Sequence, residues 1–482
     1  MDQLTTTAMR AAIAGAFACT LTACTSYAPP QEWSRDDGGG DVYDSTISYN
    51  YVMEQAALEA GATQPLEMLT WEEAIRVARE QSPTVAAAAA HILRAESRLR
   101  EASAGVYPSV DVRAGYVHYI EAASFRGAIN PGGSLAQQFV GAGSGIYSSG
   151  VDLSYRVFDG GSTYYGTEAA SAALDASRSD HATALDELEL RVSTAFLNAL
   201  LAERAIEIAE EALQFTEEQV QRALVREEAG EALRVDRLRF ATRASEQKLA
   251  HNRAQAALRV RLAVLKELLG TSLADNVQLV RPATELDVPD GDLVAVGLQH
   301  RPEAQALHAR IRETQSRMSE VGARYWPSLD LFASYGFLSI DEPGFGSDDT
   351  EATVGGALSW NVYEGGATSA RESSFRHQLL VLRNHQRELA LVIEREVREA
   401  EVNLAVARDN VGVSQQGVAL AEEVLEQISA QYLEGESQVL DVTEAELQYT
   451  RGQLALLQSK VQVLLSQARL RRAAGMDIAG TK

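Results

Sequence analysis

The sequence predicts a mainly α-helical protein with a small β-strand portion, built as two halves that share one helix–strand–strand–helix plan. The plan is visible because residues 82–116 and 301–335 align at a constant offset. Proline is absent between Pro131 and Pro282 and again after Pro343, and these stretches are rich in helix-forming Ala, Glu, Leu, Arg and Gln. Between them lie short segments of alternating apolar and polar residues, a period that is typical of strands.

Two kinds of joint are predicted where helices and strands meet. Pro108 and Pro327 each follow an aromatic residue at the end of a helical segment. Proline ends a helix because it lacks a backbone N–H and keeps the preceding residue out of the helical region. A glycine pair follows the second strand of each half, in VFDGG and VYEGG, and we expect it to bend the chain into the next helix. The glycines of these joints are Gly160, Gly161, Gly365 and Gly366.

Four strands are predicted, two in each half, at about 109–120, 146–158, 328–339 and 353–363. Each has about 11 residues, a length that suits either a half-buried sheet or a strand that crosses a bilayer. Aromatic residues near the strands fit either a membrane interface or a packed core. They are Tyr116, Tyr155, Trp326, Tyr335 and Trp360.

Two very long helices are predicted at about 165–229 and 368–433, where apolar residues recur at heptad-like spacing. Sixty helical residues span about 90 Å at about 1.5 Å per residue, which is wider than a compact core. Each helix must therefore lie along an antiparallel partner. Gly230 and Gly435 mark the predicted hairpin tips, since helices commonly end at a glycine.

The charge balance is strongly acidic, with 43 basic and 67 acidic residues and a net charge of −24. Such a chain repels phosphate groups, so nucleic acid is excluded as a partner. The eight histidines are scattered, and the sequence has no motif of a metalloprotease, a nucleotide-binding loop or a serine hydrolase. We therefore predict a protein that is not an enzyme, with no catalytic residue, no metal site and no cofactor other than a covalent lipid.

The N-terminus has the features of a short export signal. Arg10 precedes an apolar run of small residues that is too short to span a membrane and ends in LTAC, residues 21–24. This ending resembles the bacterial lipobox, whose cysteine becomes the lipidated first residue of the mature protein. The resemblance implies a lipoprotein signal peptide over 1–23, a lipid on Cys24 and a lipid-anchored extension over 24–66.

The order of these features resembles that of the TolC-type outer membrane efflux protein family. The shared features are the lipobox, the duplicated plan, proline before the strands, an acidic residue and two glycines after them, and glycine with aspartate at the tips. The segment LTWEEAIRVAREQSPTV (69–85) is also similar to the start of the family's first core helix. The resemblance covers about residues 67–475. It divides the chain into a first repeat (67–280), a linker (281–299), a second repeat (300–475) and a C-terminal tail (476–482).

In this family, three chains form one 12-stranded barrel through the outer membrane, continuous with a long α-helical tunnel in the periplasm. The four strands of one chain are too few to close a barrel, because even a small barrel has about eight. The resemblance therefore implies a homotrimer in contact with outer-membrane lipid. Its partners would be a periplasmic membrane-fusion adaptor protein and an inner-membrane transporter of the RND or ABC type.

The resemblance also assigns a periplasmic gate to the hairpin tips. In the family, acidic residues at the positions of Asp236, Asp441 and Glu444 lie at the tunnel constriction, and Tyr432 matches a tyrosine before the tip glycine. The alternative is that these carboxylates only stabilise helix N-termini, by about 0.3–1 kcal/mol each. Ser437 replaces the family's gate-locking arginine. We therefore expect an arginine of the facing hairpin to hold the closed state: Arg234, Arg237 or Arg239.

Three functions are compatible with the sequence. The favoured one is the passive exit duct of a tripartite pump for small molecules such as drugs, toxic compounds or metal ions, because the lipobox is commoner in such members of the family. The second is the outer-membrane component of a type I protein secretion system. The third, from a different class, is a non-membrane coiled-coil scaffold whose strands form a small packed sheet.

Overall fold

The structure, a computed structural model, describes residues 66–118, 145–270, 273–280, 291–340 and 350–478. All of them belong to one compact unit that runs from Gln64 to Lys482. The predicted signal peptide, the lipidation site Cys24 and nearly all of the predicted extension lie outside the described residues.

Helices account for most of the described residues. In chain order they are α1 (Trp71–Gln81), α2 (Pro83–Ala104), α3 (Ser162–Glu228), α4 (Arg234–Leu269), α5 (Leu293–His300), α6 (Pro302–Gly322), α7 (Ala367–Glu434) and α8 (Val439–Ala473). A 3₁₀ turn, Ala323–Tyr325, follows α6. The pairs α3–α4 and α7–α8 form two long hairpins, and α8 also packs against α3, so the hairpins join in one layer.

The strands form two sheets. In chain order they are β1 (Leu66–Leu69), β2 (Ser109–His118), β3 (Gly145–Phe158), β4 (Leu273–Leu279), β5 (Ser328–Ile340) and β6 (Thr350–Ser359). β1 and β4 pair in parallel, whereas the other four form an antiparallel sheet in the order β2-β3-β5-β6. The two halves use the same register, because Ser109 pairs with Ser154 and the matching Ser328 pairs with Ser359.

Burial of apolar side chains between the long helices stabilises the helical layer. Val192 and Phe196 of α3 are fully buried in one cluster with Leu265 of α4 and Leu465 of α8. A buried side chain of this size contributes about 1.5–3 kcal/mol. The apolar core therefore lies between the long helices, whose antiparallel pairing was predicted from their length.

Helix α1 and the small parallel sheet cover one face of this layer. Trp71 is buried and donates a hydrogen bond from Nε1 to Ser193 Oγ at 2.9 Å. Arg79 donates from Nε to Glu189 Oε1 at 2.7 Å. Burial raises the pKa of the Glu189 carboxyl, and the nearby charge of Arg79 offsets this only in part. Leu69, Val277 and Leu279 of the small sheet belong to the same apolar cluster.

The predicted linker over 281–299 includes most of α5, which begins at Leu293. Asp292 caps this helix by accepting a hydrogen bond from the N–H of Ala295 at 3.3 Å. Gly297 allows a close approach to α8, since a Cβ there would lie 3.0 Å from the carbonyl oxygen of Ala473. Eight residues are too few to show a helical period in the sequence, and packing against the layer stabilises the helix instead.

The last predicted strand also differs, since β6 covers Thr350–Ser359 rather than 353–363. Pairing decides where it ends. Ser359 pairs with Ser328, and Pro327, the residue before Ser328, has no N–H to donate. Trp360 instead donates from Nε1 to the carbonyl oxygen of Tyr325 at 3.1 Å. The alternation of apolar and polar residues continues past Ser359, but β5 has no further residue there for β6 to pair with.

Candidate functional site: the hairpin tips and the strand–helix joints

Each hairpin turns at a glycine with a left-handed backbone. Gly230 has φ 76° and Gly435 has φ 84°, values that are strained for any residue with a Cβ. After Gly435, the N–H of Glu436 returns to the carbonyl oxygen of Gln431 at 2.9 Å, which closes the end of α7. Both glycines therefore occupy the turns between paired helices.

Tyr432, just before the second tip, connects the two hairpins. Its carbonyl oxygen accepts a hydrogen bond from Arg226 Nη1 of α3 at 2.9 Å, and the guanidinium carbon lies 5.3 Å from the ring centre. Phe240 of α4 meets the same ring edge-on, with 5.6 Å between the ring centroids. Together with Val439 and Val442 of α8, these rings form a small apolar core. The two tips of one chain are thereby held together.

The hydroxyl of Tyr432 is buried and has no hydrogen-bond partner among the described residues. Burial raises the pKa of Tyr432, Arg226 acts in the opposite direction, and the charge of Asp236 adds to the rise. A buried polar group without a partner costs about 1–3 kcal/mol. The contact between the tips is therefore less stable than its apolar area alone would make it.

The predicted gate carboxylates lie at the starts of the two returning helices. Asp441 is exposed and accepts a hydrogen bond from the N–H of Gln438 at 3.0 Å, as part of a capping box. Glu444 is also exposed and accepts from Gln448 Nε2 at 2.7 Å. Asp236 is partly buried in the first turn of α4. Asp441 thus caps its helix, the role that the alternative interpretation gave it.

Arg226, which the sequence did not point to, contacts the second hairpin next to the tip glycine. Arg237, one of the expected residues, instead forms an ion pair within its own hairpin, from Nε to Glu227 Oε2 at 2.6 Å. Ser437, at the position of the family's arginine, donates to a carbonyl oxygen of α7 at 3.2 Å. Arg226 lies within an ordinary periodic helix, so no local pattern distinguished it.

A second contact between the hairpins lies further along α8, at Glu446. Its side chain is only 3% exposed and accepts hydrogen bonds from Arg243 Nη2 at 2.9 Å and Gln247 Nε2 at 2.7 Å. Thr450 adds a bond at 3.1 Å. Burial alone would lower the pKa of Arg243, but the bonds to Glu446 raise it above its ordinary value. This buried carboxylate joins α8 to α4 with its charge compensated.

The two strand–helix joints are built alike. Asp159 accepts hydrogen bonds from the N–H and the hydroxyl of Thr163, at 2.7 and 2.5 Å. Glu364, at the matching place, accepts from the hydroxyl of Thr368 at 2.7 Å. Neither threonine was predicted as part of a joint, although both recur at the same place in the two halves, which is a signal visible in the sequence. The four joint glycines have φ between 61° and 92°: Gly160, Gly161, Gly365 and Gly366.

Pro108 and Pro327 stand directly before β2 and β5, and the sheet that follows exposes much apolar surface. Val112 of β2 and Leu358 of β6 are 78% and 72% exposed in the single chain. The aromatic residues with two possible roles are at least 37% exposed, which favours an interface over a packed core. They are Tyr116, Tyr155, Trp326, Tyr335 and Trp360.

Across the described ranges, no helix combines the length and hydropathy needed to cross a bilayer. The same ranges hold no group of three or more His, Cys, Asp or Glu side chains arranged to bind a metal ion.

Comparison with known proteins agrees with this geometry. Outer membrane efflux protein BepC of Brucella suis is 24% identical over 326 residues, which cover 68% of this chain and 71% of BepC. The crystal structure of CusC superposes with a TM-score of 0.74 at 17% identity, over 84% of this chain and 92% of CusC. VceC of Vibrio cholerae gives a TM-score of 0.71 at 18% identity, over 85% and 96% of the two chains.

A family model described as "Outer membrane efflux protein" matches residues 74–271 and 293–476. These ranges include the long hairpins, the joints and the four-stranded sheet. The match confirms the resemblance that the sequence motifs indicated. The chain belongs to the outer membrane efflux protein family.

Proposed function

We propose that three copies of this chain form the exit duct of a tripartite efflux pump in the outer membrane. Membership of the outer membrane efflux protein family supports an efflux channel with a helical tunnel in the periplasm. The observation that carries the proposal is the continuity between sheet and tunnel, since β3 and β6 both lead through left-handed glycines into helices of 67 and 68 residues. Helices of this length span about 100 Å at about 1.5 Å per residue.

One chain cannot close such a duct. Among the described residues, no strand pairs with the outer edge of β2 or of β6. Each unpaired backbone group costs several kcal/mol in hydrocarbon. Because the two halves share one register, β6 of one chain can pair with β2 of the next, as β3 pairs with β5. Three four-stranded sheets would then supply a 12-stranded barrel. The two open edges and the shared register support a homotrimer.

In this proposal the duct performs no chemistry and is not an enzyme. Substrates enter passively from a periplasmic membrane-fusion adaptor protein, and an inner-membrane transporter of the RND or ABC type supplies the energy. Small-molecule cargo is favoured over type I protein secretion, because BepC is described as an efflux protein. The coiled-coil scaffold is disfavoured, because it leaves the exposed apolar strands without a role.

We further propose that the hairpin tips close the periplasmic end of the duct. Threefold repetition would turn Asp236, Asp441 and Glu444 into rings of carboxylates, which favour cations at a constriction. The bonds of Arg226 and Arg243 to the second hairpin would hold the tips together in place of the family's arginine.

Lipidation at Cys24 is a separate part of the proposal, and it rests on the lipobox. We expect intact-mass spectrometry of the mature protein to show acyl chains that Cys24→Ser removes. An acylated Cys24→Ser protein would contradict this assignment.

Reconstitution of the full-length protein into planar bilayers tests the duct. We expect stepwise ion conductance from material purified from the outer-membrane fraction. A soluble monomer without conductance would contradict the duct and favour the scaffold.

The same assay tests the tips. Replacing both Asp441 and Glu444 with Ala should raise conductance and weaken the preference for cations. The matched control, Glu422→Ala with Glu423→Ala, removes equal charge from an exposed part of α7. Equal changes in both variants would show that net charge, and not the tip position, sets the current.

A further inference from the structure

Three arginines from three helices line one groove in the helical layer, well away from the tips. Arg191 of α3, Arg261 of α4 and Arg469 of α8 surround a volume of about 370 Å³, and all three are exposed. The floor of the groove is apolar, with Leu190 and Val264 among its lining residues. Its size falls within the range of small-molecule sites, about 300–1,000 Å³. We name this the basic groove.

The basic groove opens on the face of the layer opposite α1. Ser193 and Glu189 mark the α1 side of α3, because they bond to Trp71 and Arg79. Arg191 lies between them in sequence and about half a turn away around the helix, at about 3.6 residues per turn. It therefore points to the other face.

In the proposed ring of three chains, that other face would border the lumen. α1, β1 and β4 add a second layer on the first face. When chains stand side by side in a ring, the thicker side lies outside, because the circumference is larger there.

None of the three guanidinium groups has an ion pair or a hydrogen bond within the part of the chain that the structure describes. One carboxylate, that of Glu267, also lines the groove but lies beyond ion-pair distance of all three. The chain has 67 acidic residues against 43 basic ones, so carboxylate partners are plentiful. Three neighbouring cations left unpaired repel one another, and an anionic ligand would relieve that repulsion.

The second half of the chain contributes a matching groove, which shares Leu190 and Arg469 with the basic groove. This twin groove, of about 380 Å³, is lined by the residues at the matching places of α7 and α8. Glu396 and Ser466 stand there where the basic groove has Arg191 and Arg261. Arg395 is paired with Glu399 at 2.9 Å. Arg472 lies 3.8 Å from both Glu187 and Glu303. Among the described residues, Arg469 is therefore the one lining arginine of the twin groove without an ion pair, whereas the basic groove has three. The duplication thus supplies an internal comparison in which less positive charge is left unpaired.

We propose that the basic groove binds amphiphilic organic anions on the luminal wall of the duct, one per chain. A carboxylate, sulfonate or phosphate group would lie among the three arginines, and an apolar body would rest on the floor beside them. The inference rests on the proposed duct and adds to it a substrate class, anions with an apolar part. A conducting pathway requires such a site to bind weakly enough to release its occupant.

The test uses 2-naphthalenesulfonate as the probe and 1-naphthylmethylammonium as a cation of similar size. Binding is measured by fluorescence titration of the detergent-solubilised full-length protein, and current block is measured in planar bilayers. We expect Arg191→Gln with Arg261→Gln to raise the half-blocking sulfonate concentration about tenfold, equivalent to about 1.4 kcal/mol. The corresponding Lys variant should retain most of the block.

The control, Arg395→Gln with Arg398→Gln, removes two guanidinium groups of α7 that are already paired with carboxylates. It should leave block by the sulfonate unchanged. Equal shifts in the groove and control variants, or equal block by the ammonium probe, would overturn the inference. If the sulfonate binds in detergent in an arginine-dependent way but the protein shows no conductance, the proposed duct is contradicted and the anion-binding groove is still supported.

Discussion

Cysteines introduced at Ala114 in β2 and Leu358 in β6 are expected to link neighbouring chains by a disulfide. The prediction follows from the shared register of the two halves. Within the chain, Leu153 of β3 pairs with Ala333 of β5. In the duplicated plan, Leu358 of β6 corresponds to Leu153 of β3, and Ala114 of β2 corresponds to Ala333 of β5. In the trimer, Leu358 of one chain would therefore lie opposite Ala114 of the next. The same leucine–alanine pair should therefore recur at the interface between chains.

The expected distances separate this arrangement from others. Directly opposed residues of antiparallel strands have Cα atoms about 4.5–5.5 Å apart, within the range of about 4.4–6.8 Å that a disulfide accepts. Inside one chain, β2 and β6 are the two outer strands of a four-stranded sheet. Three strand spacings put them about 14 Å apart, which is too far for an intrachain bond.

Oxidation followed by non-reducing gel electrophoresis measures the result. The double variant, Ala114→Cys with Leu358→Cys, should give covalent dimers and trimers that a reductant converts back to monomers. Each single variant should stay monomeric. The out-of-register control is Ala114→Cys with Val354→Cys, in which the second cysteine is displaced along β6 by about 14 Å. Crosslinking of that control as efficiently as of the matched pair, or no crosslinking of the matched pair, would refute the register argument.

Two further predictions concern contacts within the chain. Glu446→Ala removes the buried carboxylate that accepts hydrogen bonds from Arg243 and Gln247, while Arg243 keeps its ion pair with the exposed Glu246. The variant should lower the free energy of unfolding by about 1–3 kcal/mol in denaturant titrations followed by circular dichroism, whereas the exposed Glu444→Ala should change it by less than about 0.5 kcal/mol. Equal losses would mean that the buried bonds contribute nothing. Both Gly160 and Gly365 have left-handed backbone, which costs about 1–2 kcal/mol once a Cβ is present. A Cβ at Gly160 would also clash with the carbonyl oxygen of Ala323, whereas a Cβ at Gly365 meets nothing among the described residues. Gly160→Ala should therefore lower the free energy of unfolding more than Gly365→Ala does in the same titrations; equal losses, or the opposite order, would contradict the clash.

The strand–helix joints were predictable because proline and glycine act on the backbone locally. Pro108 and Pro327 stop a helix through their own ring and missing N–H, whatever surrounds them. Gly160 and Gly365 permit left-handed backbone without help from a distant residue. The duplicated plan, the long paired helices and the family could be predicted for the same reason, since repetition and periodicity are properties of the sequence itself.

Register and partner contacts were not predictable in this way. The alternation of β6 continued through Trp360, but the strand ends where β5 has no further residue to pair. Arg226 and Tyr432 come from opposite halves of the chain, as do Arg243 and Glu446. Nothing in either local pattern marks one of these residues as the partner of the other.

The order of elements, the joints, the tips and the family could therefore all be predicted from local patterns in the sequence. The packing of distant segments fixed which tip residues meet, where the last strand ends and which arginines of the two matching grooves form ion pairs. The physical reason is the range of the interactions. Backbone restrictions and apolar periods act over a few residues, whereas hydrogen bonds and ion pairs between hairpins depend on how distant segments are packed.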